Sequence, residues 1–324
     1  MLKKMNKTII IGLILGLSTS CALFPRHKQK DKYVVGPIKL TKTETIKLLK
    51  NVKQLQEHAE KQLYKAAKHD AKQLCQDFPT MVEFDLKPLL KAERFIAKGK
   101  WLSGAKVYEK LLDEFPESIL RETALKRLFK IGNIYIEGQE KKILGLFRAK
   151  AYEEGAHILN KITEEVGLED SSGMGVKAAL SVVRRHEKQG KFDDANLKWL
   201  EISTVWQKGE LGQKALLGLG RTKRAAYNAK PKEVRPLYDG ANLKAAKTYY
   251  EKFQIRFPKQ AKKLNIEQII SDIDQQLANK ELAIAKYYQR TGHKLAANIY
   301  FDMVIQKWPK STAAKQARKI TQSK

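Results

Sequence analysis

Residues 281–311, ELAIAKYYQRTGHKLAANIYFDMVIQKWPKS, constrain the fold of this chain more than any other stretch. They read as two antiparallel helices. Ile284, Ala285 and Tyr288 share one face of the first, and Thr291, Gly292 and His293 make the turn. Leu295, Ala296, Ala297, Tyr300, Phe301 and Val304 form the apolar face of the second. Pro309 stops that helix, because proline lacks the donor and clashes with the preceding turn. The pattern recurs. In residues 88–118, PLLKAERFIAKGKWLSGAKVYEKLLDEFPES, Ala92, Phe95, Gly99, Gly104, Tyr108, Leu111 and Pro116 take the places of Ala285, Tyr288, Gly292, Ala297, Phe301, Val304 and Pro309. A third copy keeps Val183, Gly190, Ala195, Trp199 and Ile202. Small residues let two helices approach closely, and bulky ones fill the gaps between neighbouring hairpins. A chain with such repeats is expected to stack them into one continuous core.

Ala285, Gly292, Ala297, Phe301 and Pro309 lie 7, 5, 4 and 8 residues apart. This spacing resembles the tetratricopeptide repeat, about 34 residues long. The remaining chain fits the same plan. Arg121 to Glu137 reads as a helix with Ala124, Leu128, Ile131 and Tyr135 on one face, and residues 138–150 lengthen its turn. Ala151, Gly155, Leu159 and Ile162 mark its partner, which ends at Gly167. EDSSGMG at 169–175 is a candidate boundary. Gln213 to Asn228 is a further helix, separated from its partner, Ala245 to Phe257, by an insertion with Pro231, Pro236 and Gly240. RFPK then echoes EFPE and KWPK. From Thr43 to Phe78, Leu48, Val52, Leu55, Ala59, Leu63, Ala66 and Leu74 give either one long helix or a degenerate hairpin, expected to cap the first repeat. The expectation is an all-α protein: a superhelical array of about five tetratricopeptide-like hairpins with an extra N-terminal helix. Residues 41–167 would hold that helix and repeats 1–2, and 176–318 repeats 3–5.

Catalytic chemistry is not visible. The six histidines are scattered, and none sits in a metal-binding pattern. Gly218-Leu219-Gly220 begins like a dinucleotide loop but lies within a helical pattern with no preceding strand. SSGMG at 171–175 lacks the ending of a phosphate loop, and acidic pairs such as Asp193-Asp194 suit helix starts. The expectation is a non-enzyme without cofactor or metal.

The N-terminus has the three parts of an export signal. Lys3, Lys4 and Lys7 precede an apolar run at 9–17, and Ser18-Thr19-Ser20 lead to Cys21. The run is shorter than the roughly 20 residues of a spanning helix. Small residues ending on cysteine resemble the bacterial lipoprotein processing site, which makes Cys21 the lipid-attachment residue; an ordinary cleaved signal is the alternative. Residues 21–40 are then a basic tether, and Ala22 after the cysteine implies outer-membrane sorting. Cys75 remains as a lone thiol beside Leu74 and Phe78, read as a structural cysteine. The net charge of +28 favours anionic partners, or lysines simply cover solvated helix faces. Nucleic acid is not an expected partner, since an export signal leads away from it.

The lipoprotein start and the hairpins together resemble the BamD family of outer-membrane assembly lipoproteins. The residues carrying this are AERFIAKGKWLSGAKVYEKLLDEFPES, LFKIGNIYIEG, YYEKFQIRFPK and AKYYQRTGHKLAANIYFDMVIQKWPKSTAAKQA. The resemblance implies a periplasm-facing, lipid-anchored scaffold that assists insertion of β-barrel proteins into the outer membrane. Its partners would be a barrel-bearing assembly protein, docked on the C-terminal repeats, and unfolded substrates received by the N-terminal ones. Another envelope adaptor, for peptidoglycan, anionic lipid or pilus assembly, is the competing reading. A substrate groove is expected at Leu86, Leu89, Glu93 and Ile96, one stripe of the first repeat's leading helix and more apolar than Asn279, Leu282, Lys286 and Gln289 of the last. Alternatively, the N-terminal helix covers that stripe.

Overall fold

The computed structural model describes residues 40–143 and 147–322; the expected signal, Cys21 and the expected tether up to residue 39 lie outside them. Residues from Leu40 onward form one compact unit. Helix α1 (Lys42–Glu60) pairs with α2 (Tyr64–Asp77), and the short α3 (Pro79–Val82) leads on. Then α4 (Leu86–Ala97) pairs with α5 (Trp101–Glu114), α6 (Arg121–Ile136) with α7 (Tyr152–Val166), and α8 (Met174–Lys188) with α9 (Phe192–Val205). Next, α10 (Gly209–Asn228) pairs with α11 (Ala241–Arg256), the short α12 (Pro258–Lys263) intervenes, and α13 (Ile266–Arg290) pairs with α14 (Lys294–Lys307). Helix α15 (Thr312–Gln322) packs on α13 and α14. The five expected hairpins are therefore present. Each packs on the next, and α7 and α8 meet across the 169–175 link, which joins neighbours within the unit.

Residues 43–78 are a sixth hairpin, in place of the single extra helix. Its turn, Lys61-Gln62-Leu63, has the same hydrogen bonds as the turns around Gly99, Gly190 and Gly292. Leu63 N–H donates to the His58 carbonyl (2.9 Å) and Gln62 N–H to that of Ala59 (3.0 Å), as Lys100 and Gly99 do to Phe95 and Ile96. These are Schellman turns, whose middle residue must take a left-handed backbone. Gly99, Gly190 and Gly292 do so freely at φ 71°, 71° and 81°, while Gln62 does so at φ 56° against its Cβ. The turn therefore has no glycine to announce it. Downstream the apolar phase shifts by one: Ala67, not Ala66, is buried, and Leu63 is exposed.

The second helices end alike. Phe78, Phe115, Phe257 and Trp308 all leave the helix at φ −131° to −132° and ψ 58° to 63°. Each precedes a proline, which bars the α conformation from the residue before it. Trp206 precedes Gln207 and relaxes to φ −102°, ψ 89°. In every case the aromatic N–H still donates to the carbonyl four residues back. The helix thus closes its last bond before turning.

Small residues stand where helices touch. A Cβ on Gly104 would lie 2.7 Å from Ile96 Cγ1 and 3.0 Å from the Ala92 carbonyl, so α4 and α5 approach as the repeat pattern required. Inside α10, Gly218 lies under the Trp199 indole and Gly220 against the Tyr250 ring, which explains the glycines of the loop-like GLG. From α8 to α13 one apolar cluster includes Trp199, Tyr227, Tyr250 and Phe253. A second gathers Leu282, Ala285, Ala297, Phe301 and Val304, and Trp308 packs against both. Ala313, Ala314 and Ala317 of α15 close this end, with Lys315, Gln316 and Lys319 facing outward. Such a polar outer face is what a terminal element of a repeat stack needs.

Two details depart from a purely helical plan. The lengthened turn between α6 and α7 holds an antiparallel ribbon, β1 (Glu140–Ile143) and β2 (Phe147–Lys150), paired Glu140 to Lys150. Strands of four residues are too short to show a period. The insertion after α10 carries a single 3-10 turn, Arg235–Leu237. Arg235 is pinned there by the carbonyls of Asn228 (2.7 Å) and Lys230 (2.8 Å).

Candidate functional site

The four residues expected to form an open groove are all buried. Leu86, Leu89, Glu93 and Ile96 each have no exposed surface. Helices α1 and α2 both pack on α4, so the stripe is an internal seam and the expectation of an open groove on it is corrected. Leu86, Leu89 and Ile96 pack in it as core residues. Glu93 has a different role.

Glu93 is the centre of a buried polar network that joins the first three hairpins. Arg127, on α6 and 4% exposed, donates from Nε to Glu93 Oε1 (2.9 Å) and from Nη2 to Oε2 (2.8 Å). The Tyr108 hydroxyl, on α5, donates to Oε1 (2.5 Å) and accepts from Gln56 Nε2 on α1 (3.2 Å). Arg127 also donates to Glu60 Oε2 (3.1 Å) and to the Gln56 carbonyl (3.1 Å). Lys130 holds the other Glu60 oxygen, and the Trp101 ring lies 5.6 Å from the Arg127 guanidinium. Burial lifts the Glu93 carboxyl above its ordinary range, opposed by the guanidinium and the Tyr108 hydroxyl. Burial also opposes the charge on Arg127, yet Glu93 outweighs it and raises the Arg127 pKa. Burial and the neighbouring Glu93 charge push the Tyr108 phenol well up. All its oxygens engaged, the carboxylate is a structural tie. A glutamate within an otherwise apolar stripe was the available signal, since glutamate is almost never fully buried without a partner.

Two clefts lie beside this region. One of about 350 Å³ between α1, α2 and α4 has Leu55, Ala67 and Leu90 in its lining, with Lys68, Lys91 and Arg94 beside them. Another of about 510 Å³ lies between α5 and α7, and includes His157 and Glu109. Burial raises the Glu109 carboxyl. Neither brings a nucleophile to a base in a recognisable arrangement. Among the described residues no group of His, Cys, Asp and Glu could hold a metal, and no helix is long and apolar enough to cross a membrane. Cys75 is a half-buried free thiol.

The C-terminal hairpin exposes apolar side chains. Leu295, read from sequence as part of the buried face of α14, is 82% exposed, and Ile299, one turn on, is 60% exposed. Tyr287 of α13 is also exposed. Helix α14 is apolar nearly all round: α13 and α15 cover the side of Ala297, Phe301 and Val304, and the Leu295–Ile299 side is left over. Of the compared stripe on α13, Leu282 is buried while Asn279 and Lys286 are exposed.

This C-terminal part is also where a family model matches. The family model of YfiO, an outer membrane lipoprotein, matches residues 216–324. That is roughly a third of the chain, from within α10 to its end. No curated protein matches the chain significantly. Among solved structures it is similar to PilW, described as a widely conserved type IV pilus biogenesis factor. The identity is 17%, covering 86% of this chain and 99% of that one, with a TM-score of 0.28. A superposition at that score carries no functional weight.

Proposed function

We propose that this protein is a lipid-anchored scaffold that assists assembly of β-barrel proteins at the outer membrane. The observation that carries the reading is a coincidence: the segment matching an outer membrane lipoprotein family is the one whose last hairpin leaves Leu295 and Ile299 exposed. The export signal ending on Cys21 supports the anchor. On this reading the C-terminal hairpins dock on a barrel-bearing assembly protein through α14, and the hairpins before them extend the scaffold. No residue is assigned a catalytic role. Capture of the full chain from solubilised membranes tests it. The wild type is expected to bring down a β-barrel membrane protein, identified by mass spectrometry. Leu295→Lys with Ile299→Lys should lose it while remaining in the membrane fraction. Capture of no barrel protein by the wild type sinks the proposal. Cys21→Ser tests the anchor separately, and should move the chain from the membrane pellet to the supernatant with the mass of an unlipidated protein.

A further inference from the structure

The second helices of four hairpins, α2, α5, α11 and α14, end at the same place in the repeat, on an aromatic residue followed by proline, and these ends are taken as one edge of the stack. The charge on that edge changes sign along the chain. Asp77 and Glu114 are the last residues of α2 and α5, whereas Arg256 and Lys307 are the last of α11 and α14. The acidic members are matched within the molecule: Asp77 by Lys47 (3.1 Å) and Glu114 by Lys110 (3.5 Å). The basic members meet no carboxylate among the described residues.

A helix dipole explains one cation per C-terminal end. It does not explain the stretch 252–264, where α11 runs into α12. Lys252, Arg256, Lys259, Lys262 and Lys263 are all exposed there, and none has an ion-pair partner among the described residues. The nearby Glu251 is already engaged by Lys247. Along the same stretch Ile255 is 83% exposed and Leu264 is exposed as well. Large aliphatics beside cations that no carboxylate balances are a poor water-facing surface and a good match to one kind of partner. That partner presents a dense negative layer above an apolar one.

We propose that the α11–α12 edge docks on an anionic phospholipid surface, with the cations at the headgroups and Ile255 and Leu264 at the headgroup–acyl boundary. Each cation near such a surface adds about 1 kcal/mol of attraction, and the attraction fades within a Debye length.

The test uses full-length chain carrying Cys21→Ser, so that no acyl group contributes. Cosedimentation with vesicles of phosphatidylcholine alone is compared with vesicles in which a third of the lipid is phosphatidylglycerol. Binding to the anionic vesicles only is expected, weakening as salt rises. The triple change Lys259→Glu, Lys262→Glu, Lys263→Glu should reduce it by about a hundredfold or more. Ile255→Ser should reduce it several-fold. A control triple on the exposed cations of the first hairpin, Lys50→Glu, Lys53→Glu, Lys72→Glu, should leave it within about threefold. Equal losses in the two triples, an unaffected Ile255→Ser variant, or no dependence on phosphatidylglycerol would overturn the proposal. So would binding to soluble polyglutamate but not to vesicles, which would assign the edge to an acidic protein.

Discussion

The first three hairpins and the last three use the same repeat but are joined by different physics. Near the N-terminus, α1, α4, α5 and α6 meet around the buried Glu93–Arg127–Tyr108 network. From α8 to α13 the joint is mainly apolar, built on Trp199, Tyr250 and Phe253, with a buried polar pair, Asn196 to Thr222 (2.7 Å), between α9 and α10. Apolar burial is non-directional and tolerates small shifts between hairpins. A bidentate guanidinium–carboxylate pair admits one arrangement. The N-terminal joint therefore adds a fixed geometry to its apolar core of Leu48, Leu55, Leu89 and Ile131, whereas the C-terminal joint relies more on area. The C-terminal part is the one that exposes Leu295 and Ile299.

Breaking the polar joint should give the largest effect. Arg127→Met leaves Glu93 buried without its counter-charge, which costs about 3–5 kcal/mol in urea unfolding. Replacing Glu93, Tyr108 and Arg127 together by Leu, Phe and Met should recover the loss, because a buried ion pair is often no more stable than an apolar substitute. If the triple variant is as unstable as the single one, the network does more than satisfy itself. Overpacking the apolar joint is milder. Ala297→Leu forces α13 and α14 apart and should cost about 1–3 kcal/mol, seen as a lowered thermal midpoint. An unchanged midpoint would show that α14 can shift where α6 cannot.

A third variant sharpens the comparison at the turns. Gln62→Gly makes the first turn like those of Gly99, Gly190 and Gly292, and should raise stability by up to about 1 kcal/mol. The smallest effect is expected in α8. Burial disfavours the charged form of His186, lowering its pKa, and its Nδ1 finds no hydrogen-bond partner among the described residues. The unfolded chain then binds that proton more readily than the folded one. Stability is full above about pH 6.5 and declines as pH falls through the lowered folded value. His186→Gln should flatten that part of the unfolding profile measured between pH 7.5 and 5.

The hairpins were legible because their information is local: a small residue, a turn glycine and an aromatic-proline end, each at a fixed interval. The first hairpin was half hidden because Gln62 does glycine's work. The polar network was not legible as a network. Glu93, Tyr108, Arg127 and Gln56 lie on four helices, and no interval in the sequence relates them. For the same reason the Leu86–Ile96 stripe could be read as open or covered, and only packing settles it. Leu295 was misassigned because α14 is apolar on more than one side, so periodicity could not say which side faced water.

The bond between Glu60 and Arg127 spans 67 residues of chain. Any machine that delivers this protein N-terminus first presents α1 and α2 long before the guanidinium that secures them. At ordinary synthesis rates of about 5–20 residues per second the wait is roughly 3–13 s. Throughout that interval the leading hairpin has its own short-range contacts but no lock, and a holding chaperone would find it open. Completion of the N-terminal end is timed by the arrival of the third hairpin.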